Sequence, residues 1–289
     1  MEHIKAQAVV CGGSGGFAAA YTLAKGGINV ILIEKNKGIG GTSVFAGVNC
    51  WEPGVSIGKV HRELFSALSK IPDAAAVSKT VPNSRLFYPE SEPYPHNTVS
   101  CFNLYPNGEI NVNMLPTVKG SDYIKLKASA DEVCRRLVYS YWNRLQNDYG
   151  MSGYKFMYLF PMPGIRESYR LKGRYVLTEN DLLTGFEHQA RRDEIISLAN
   201  HARDTHGSGG CNELENPYGI PFSCMLPKEY DNLYVCCRGA SFSHIAASSA
   251  RLSRTMLSLG EAAAHAVIMQ INDGKIDFPT LKNMQNIPF

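Results

Sequence analysis

The sequence lacks several features that would assign it to a specialised class of protein. It has no run of about 18 uncharged apolar residues, so no transmembrane helix is predicted. Its first residues show no basic segment followed by a signal-type apolar run, which favours a cytoplasmic protein. Lysine and arginine form no long run and the net charge is only +3, so neither nucleic acid nor a membrane is expected as a partner.

Metal-ligand spacing is also missing from the sequence. The eight cysteines are scattered without a C-x-x-C pair, which indicates reduced, mostly buried thiols. His201 and His206 are not spaced for one face of a helix, so they do not predict a metal site. The chain has 289 residues and ordinary apolar content, which is enough for one large domain or two interleaved ones.

A nearly complete dinucleotide-binding pattern lies near the start of the chain. The residues predict a short buried strand at 7–11, a glycine-rich turn, an alanine-rich helix at 16–26 and a second buried strand at 30–34. A strand, turn, helix and strand within about 30 residues is the context in which a glycine-rich loop binds a nucleotide.

The positions of this pattern have separate physical roles. Gly13 lets the backbone approach a pyrophosphate, Gly16 lets the helix pack closely on the strand, and the N–H groups at the helix start bind phosphate. Glu34 ends the second strand, where its carboxylate accepts hydrogen bonds from an adenosine ribose and disfavours the 2′-phosphate of NADP. Cys11 replaces the first glycine and is compatible with the turn if its φ is negative. The alternative is a glycine-rich turn that has lost its ligand.

Periodicity predicts further elements in the first half of the chain. We expect an amphipathic helix at 56–69, an irregular connection at 71–99, a hairpin at 101–114 around Pro106-Asn107-Gly108, and one long helix at 121–147.

The second half predicts a different mixture. Strands are expected at 154–160 and 168–177, and a further buried strand at 232–237. Thr178 has capping spacing for a short helix, and a long alanine-rich helix is expected at 249–272.

Downstream of Glu34 the sequence reads KNKGIGGTSVFAGVN, a pattern of flavoproteins rather than of NAD dehydrogenases. Together with blocks at 111–116, 163–183, 218–243 and 248–266, it resembles the FAD-dependent oxidoreductase family of the glutathione-reductase-like superfamily. The combination of blocks is more specific than any one of them.

The resemblance implies an α/β fold in which a Rossmann-like FAD-binding domain is assembled from both chain ends, with an inserted α+β substrate domain. The FAD-binding domain is expected at 1–60 and 225–289, the substrate or cap domain at 100–224, and an irregular connection at 61–99. The cofactor is expected to be noncovalent FAD. The implied cofactor-binding residues are Gly13, Ser14, Gly15, Gly16, Glu34, Lys35, Gly40, Gly41, Thr42, Arg238, Gly239, Gly260, Glu261 and Ala262.

The chain departs from the family pattern in two places. Between residues 55 and 100 it has no Ala-Thr-Gly-Asp-type motif. Its last long helix reads GEAAA from Gly260, where the family usually has Gly-Gln-Ala-Ala-Gly. The chain is therefore predicted to be a shortened member of the family.

The predicted substrate-facing residues are Arg166, Arg170 and His244. An arginine clamps a carboxylate bidentately, and a histidine moves a proton near neutral pH. The alternatives are an internal ion pair between Arg166 and Glu167 and a histidine that merely begins a helix.

The main functional hypothesis is a flavoprotein oxidoreductase that acts on an unidentified small molecule. The second is a degenerate, non-catalytic member that serves as a binding or partner subunit, and a weaker third is an NAD-binding dehydrogenase. Arg251 and Arg254, predicted on nearly one helical face, either bind phosphate or form a solvated or ion-paired surface. A homo-oligomer, or a partner chain that completes the FAD domain, stays open.

Overall fold

The computed structural model of the protein describes residues 4–48, 50–51, 54–55, 58–71, 76–77, 85–86, 101–104, 109–113, 120–126, 129–148, 151–205 and 211–288. The strands in these ranges are β1 (Ala8–Cys11), β2 (Val30–Ile33), β3 (Cys50–Trp51), β4 (Ala76–Val77), β5 (Arg85–Leu86), β6 (Cys101–Leu104), β7 (Ile110–Asn113), β8 (Ile195–Ala199), β9 (Arg203–Asp204), β10 (Cys211–Asn212) and β11 (Tyr218–Pro221). The helices are α1 (Ser14–Lys25), α2 (Thr42–Phe45), α3 (Lys59–Leu68), α4 (Gly120–Leu126), α5 (Ala130–Asp148), α6 (Glu179–Thr184), α7 (His244–Ala250), α8 (Ser253–Asp273) and α9 (Phe278–Met284).

The N-terminal unit confirms the predicted strand, turn, helix and strand. β1 and β2 pair in parallel, in a register that runs from Ala8 opposite Val30 to Cys11 opposite Ile33. The Gly12 N–H extends this pairing by donating to the Ile33 carbonyl at 2.8 Å. Parallel strands need a crossover connection, and α1 supplies it.

The N-terminal unit packs against the long helix α8 from the other end of the chain. Ala19 and Leu23 of α1 share a buried cluster with Ala264 of α8. A neighbouring cluster joins Leu257 of α8 to Val60 of α3. Small side chains on facing positions let the two long helices approach closely, so residues from both chain ends form one core.

A second core lies on the other side of α8. β8 and β11 pair antiparallel, and their apolar residues pack with α7 and α8. Tyr218, Ile220 and Met225 are fully buried in this core. The predicted end of the last long helix is confirmed, because α8 stops at Asp273 and Gly274 follows with φ 71°. Gly274 adopts the left-handed conformation that commonly ends a helix.

The predicted hairpin at 101–114 is confirmed by its strands, since β6 and β7 pair antiparallel. The turn at 106–108 lies outside the described residues, as does most of the predicted connection at 71–99. The single helix predicted at 121–147 is wrong. α4 ends at Leu126 and α5 begins at Ala130, and the Ser129 hydroxyl donates to the Leu126 carbonyl at 2.7 Å.

The strands predicted at 154–160, 168–177 and 232–237 are wrong, although all these residues are described. They make isolated backbone hydrogen bonds instead of ladders, such as Leu177 N–H to the Ser241 carbonyl at 2.9 Å. The short capped helix is confirmed as α6, with a capping box between Thr178 and Asp181.

Among the described residues, no helix is long and apolar enough to cross a lipid bilayer. The α/β character is shown by β1, α1 and β2. The division of the chain into a split FAD-binding domain and an inserted substrate domain stays a prediction.

Candidate functional site

The glycine loop between β1 and α1 has the backbone that the pattern requires. Gly13 precedes α1 with φ 104°, and a Cβ atom added there would meet nothing within 4 Å. Gly16 is packed on the strand, since an added Cβ would lie 1.8 Å from the Cys11 carbonyl oxygen. Cys11 itself is not among the described non-glycine residues with positive φ. A cysteine at the first glycine position is therefore compatible with this turn.

Glu34 lies directly after β2, beside the loop. Its Oε1 accepts hydrogen bonds from the Asn36 backbone N–H at 3.0 Å and the Asn36 side-chain amide at 2.8 Å. Its Oε2 is buried and accepts no hydrogen bond from the described part of the chain. An added Cβ at Gly12 would lie 2.0 Å from this Oε2, so the loop and the carboxylate are in direct contact. Lys35, the next residue, is exposed.

The Gly40-Gly41-Thr42 segment meets the glycine loop. Gly40 and Gly41 have φ of 114° and 58°, and an added Cβ at Gly41 would lie 2.7 Å from the Gly13 Cα. The Ser14 hydroxyl donates to the Gly40 carbonyl at 3.1 Å. Both glycines are therefore required by the backbone, and the two loops form one surface at the start of α1.

Two serines that the sequence analysis missed extend this surface to the far end of the chain. The Ser43 hydroxyl lies 2.6 Å from that of Ser14 and 2.7 Å from that of Ser253. Ser253 is the first residue of α8, so the hydroxyl chain links the beginnings of two long helices. The positive ends of both helix dipoles thus lie near one another. No short-range signal in the sequence places Ser253 beside Ser14.

The α8 residues predicted to approach the cofactor, Gly260, Glu261 and Ala262, are packed against other parts of the chain. An added Cβ at Gly260 would lie 2.0 Å from the Gly15 carbonyl oxygen, and one at Gly15 would lie 1.9 Å from the Cys236 carbonyl oxygen. Ala262 is fully buried. Glu261 is also buried, and its two carboxylate oxygens accept hydrogen bonds from the first two N–H groups of α3 at 3.0 and 3.1 Å. The acid that departs from the family pattern caps a helix.

Arg238 reaches the same surface from the loop before α7. Its guanidinium donates to the Thr42 hydroxyl, to the Arg251 carbonyl at 2.9 Å and to the Ile165 carbonyl at 3.4 Å. Burial and the nearby positive charge of Arg251 lower the pKa of Arg238 to about 10. The following Gly239 accepts a hydrogen bond from the Leu171 N–H at 2.7 Å.

Arg166 does not pair with Glu167. Its Nη1 lies 3.3 Å from Oδ2 of Asp204, and Nη2 of Arg251 lies 2.6 Å from the same oxygen. Burial and the positive charge of Arg251 lower the pKa of Arg166 to about 9, although Asp204 acts in the opposite direction. Asp204 was not predicted, because nothing in its local sequence indicates a contact with residues so distant in the chain.

The other two predicted substrate-facing residues share Glu167. Nη1 of Arg170 lies 2.5 Å from Glu167 Oε1, and Nδ1 of His244 lies 2.6 Å from Glu167 Oε2. The His244 side chain is 62% exposed, so its other ring nitrogen faces an accessible surface. A carboxylate that holds one ring nitrogen orients the imidazole for proton transfer at the other.

The expectation that Arg251 and Arg254 lie on nearly one helical face is wrong. Arg251 follows the end of α7, whereas Arg254 belongs to the first turn of α8. Arg254 is buried and donates to the Asn200 side-chain oxygen at 2.9 Å. Of the two, Arg251 contributes to the cluster with Arg166 and Asp204.

Comparison with known families gives a match over most of the chain. Residues 8–93 and 89–284 match the model of a family described as FAD dependent oxidoreductase. No significant similarity to a curated protein or to a solved structure is found. The match confirms the resemblance to FAD-dependent oxidoreductases and the expected FAD cofactor. The chain therefore belongs to the FAD dependent oxidoreductase family.

Proposed function

We propose that the protein is an oxidoreductase that moves a hydride or electrons between noncovalently bound FAD and a small molecule. The observation that carries this proposal is the junction of the glycine loop, the Gly40-Gly41 segment and the start of α8, with the Glu34 carboxylate at its side. We further propose that this junction belongs to a split Rossmann-like domain of the glutathione-reductase-like type. The described cysteines are free thiols, in keeping with a cytoplasmic protein.

The junction suits FAD on two counts. The space beside Gly13 is open, so a pyrophosphate can approach the backbone N–H groups at the start of α1. The buried Oε2 of Glu34 has no hydrogen-bond donor in the described residues, and a ribose hydroxyl would supply one. A buried polar atom without a partner costs about 1–3 kcal/mol, which a bound ribose would recover.

When bound, FAD supplies the hydride or electron chemistry. The chain binds and orients it. The N–H groups of Ser14, Gly15 and Gly16 bind the phosphates, Glu34 binds the ribose, and Arg238 adds positive charge beside Thr42. His244, held by Glu167, is the group proposed to move a proton near the substrate.

The first test is an absorption spectrum of the purified protein from roughly 300 to 550 nm, followed by titration with FAD. Glu34→Ala is expected to weaken FAD binding about tenfold, since it removes one hydrogen bond to the ribose. Glu187→Ala, at an exposed position remote in sequence from the loop, is the matched control and should bind FAD normally. A colourless protein that FAD neither colours nor stabilises would contradict the proposal and favour the non-catalytic alternative.

A further inference from the structure

The Glu167 carboxylate connects an arginine to a histidine. Its Oε1 lies 2.5 Å from Nη1 of Arg170, and its Oε2 lies 2.6 Å from Nδ1 of His244. The Glu167 side chain is 26% exposed, whereas the His244 side chain is 62% exposed. The imidazole is therefore held at one ring nitrogen and is accessible to solvent and to small molecules elsewhere.

Backbone hydrogen bonds join the two segments that carry these side chains. The Leu171 N–H donates to the Gly239 carbonyl at 2.7 Å. The Ser243 N–H, directly before His244, donates to the Leu177 carbonyl at 2.8 Å. The segment that follows Glu167 is thus fixed against the loop that leads into α7. The contact between the carboxylate and the imidazole is a product of this tertiary arrangement.

The nature of the acceptor determines which ring nitrogen of His244 carries the proton. An ionised carboxylate has no hydrogen to donate, so Nδ1 must be the donor to Glu167 Oε2. In the neutral imidazole the single proton then lies on Nδ1, and Nε2 keeps its lone pair. A histidine held in this way presents a base rather than an acid at Nε2.

We propose that Glu167 and Arg170 are positioning residues that hold His244 in this tautomer, and that Nε2 of His244 is the base for a substrate with a hydroxyl group. Arg170 acts through Glu167, which differs from its predicted contact with a substrate carboxylate. The inference rests on the proposed flavin function. A base is needed there if the substrate gives up a proton together with its hydride.

Oxidation of an alcohol has this requirement. The O–H bond of the alcohol breaks, and its proton goes to Nε2 of His244. The C–H bond breaks as well, and its electron pair leaves with the hydrogen as a hydride to FAD. The alcohol becomes a carbonyl compound, and FAD takes up both electrons. Because His244 is exposed, it can then release the proton to water. A reduced nicotinamide, by contrast, gives up a hydride without a proton and needs no base.

The positioning role is tested by ¹⁵N NMR of the histidine side chains in the full chain, at a pH at which the ring is neutral. The His244 signals are identified by their loss in His244→Gln. We expect the wild-type ring to be protonated at Nδ1, and Glu167→Ala to lose this preference. Glu167→Asp should restore it in part, and Arg170→Gln should weaken it. Glu194→Ala is the matched control, since Glu194 pairs with Arg191 at the same sequence spacing.

The base is tested by anaerobic reduction of the bound FAD, followed by the loss of the oxidised flavin absorbance. Ethanol, isopropanol and glycerol are the hydroxyl probes, and NADH is the hydride donor that needs no base. We expect an alcohol to reduce the FAD. His244→Gln should slow this reduction at least about 100-fold, the low end of what a general base contributes. Glu167→Ala should slow it less. Neither change should alter the reduction by NADH.

Two results would overturn the inference. One is a wild-type His244 ring protonated at Nε2, or an Nδ1 preference that survives in Glu167→Ala. The other is FAD that NADH reduces and that no alcohol reduces. The flavin function is tested separately, because the tautomer can be measured with or without FAD. A His244 ring protonated at Nδ1 in a protein that takes up no FAD would contradict the flavin function alone.

Discussion

Two regions depend on opposite physical principles: the glycine junction, where Gly15 of α1 meets Gly260 of α8, and the arginine cluster, in which Arg166 and Arg251 contact Asp204. At the junction, Gly15 and Gly260 bring two helices so close that one added methyl group would overlap a backbone oxygen. At the cluster, Arg166 and Arg251 are long side chains held near one another by Asp204 despite their mutual repulsion. The junction depends on the absence of side chains at Gly15 and Gly260, whereas the cluster depends on the attraction of Asp204 to two arginines.

This difference predicts how each region responds to change. Steric overlap at the junction is insensitive to salt. The arginine cluster should respond to salt, because screening reduces the repulsion between its guanidinium groups. The following substitutions test that contrast.

Gly260→Ala is expected to have the largest effect. Its Cβ would lie 2.0 Å from the Gly15 carbonyl oxygen, so α1 and α8 must separate. We expect a loss of at least about 4 kcal/mol in the free energy of unfolding, measured by urea denaturation at low and high salt. Gly153→Ala, where an added Cβ meets nothing within 4 Å, is the control and should be nearly neutral. If high salt restored the free energy of unfolding of Gly260→Ala, the contrast between the two regions would be contradicted.

Asp204→Asn should be nearly as damaging at low salt. It removes the carboxylate that contacts both Arg166 and Arg251, so Asp204 no longer offsets the repulsion between the two arginines. We expect a loss of about 3–4 kcal/mol in the free energy of unfolding. Added sodium chloride should recover part of it, as measured by the urea midpoint. If the same salt restores Gly260→Ala equally well, the two regions do not differ as described.

His61 makes the stability of the protein depend on pH. It is fully buried on α3, and burial followed by the positive charge of Arg254 lowers its pKa from 6.5 to about 4, against an opposing effect of Glu261. Below pH 6.5 the His61 side chain binds a proton in the unfolded chain. In the folded protein it stays neutral down to about pH 4. Stability should therefore fall by about 3 kcal/mol between these pH values.

The measurement is urea denaturation at several pH values between these two pKa values. In His61→Asn, the contribution of this residue to the change in unfolding free energy with pH should vanish, whatever the change in absolute stability. His188→Asn, which alters an exposed histidine, should keep the wild-type slope. An identical slope in wild type and His61→Asn would show that His61 is not buried in its neutral form.

Glu261→Gln should have the smallest effect of the four. The glutamate accepts one hydrogen bond on each oxygen from the start of α3, whereas an amide offers only one acceptor. We expect a loss of about 2 kcal/mol in the free energy of unfolding. Glu229→Gln, at an exposed position, is the control. Higher stability in Glu261→Gln would mean that this acid is not a helix cap.

The N-terminal unit was predictable because its signals are local. The pattern around Gly13 and Gly16 sets both the strand and the start of α1, and hydrophobic periodicity gives α3. The break between α4 and α5 also had a local signal that was missed. Ser129 and Glu132 have the spacing of a helix start, within what periodicity alone presents as one helix.

The arginine cluster could not be predicted, because its partners are distant in sequence. Arg166 and Asp204 are 38 positions apart, and the sequence around either residue contains no pattern that predicts a contact with the other. The wrong strand predictions have a related cause. The segment 168–177 looks like a strand locally, but its backbone groups bond to loops, as in Arg174 N–H to the Leu226 carbonyl at 2.9 Å.

The hydroxyl chain through Ser43 and Ser253 has a consequence for synthesis of the protein. Ser43 and Ser253 are separated by 210 residues, which a ribosome adds in roughly 10–40 seconds at usual rates. During that interval the nascent β1, α1 and β2 have no α8 to pack against. The cofactor surface is therefore completed only after α8 has been synthesised, and until then the α1 residues that pack on α8 stay exposed.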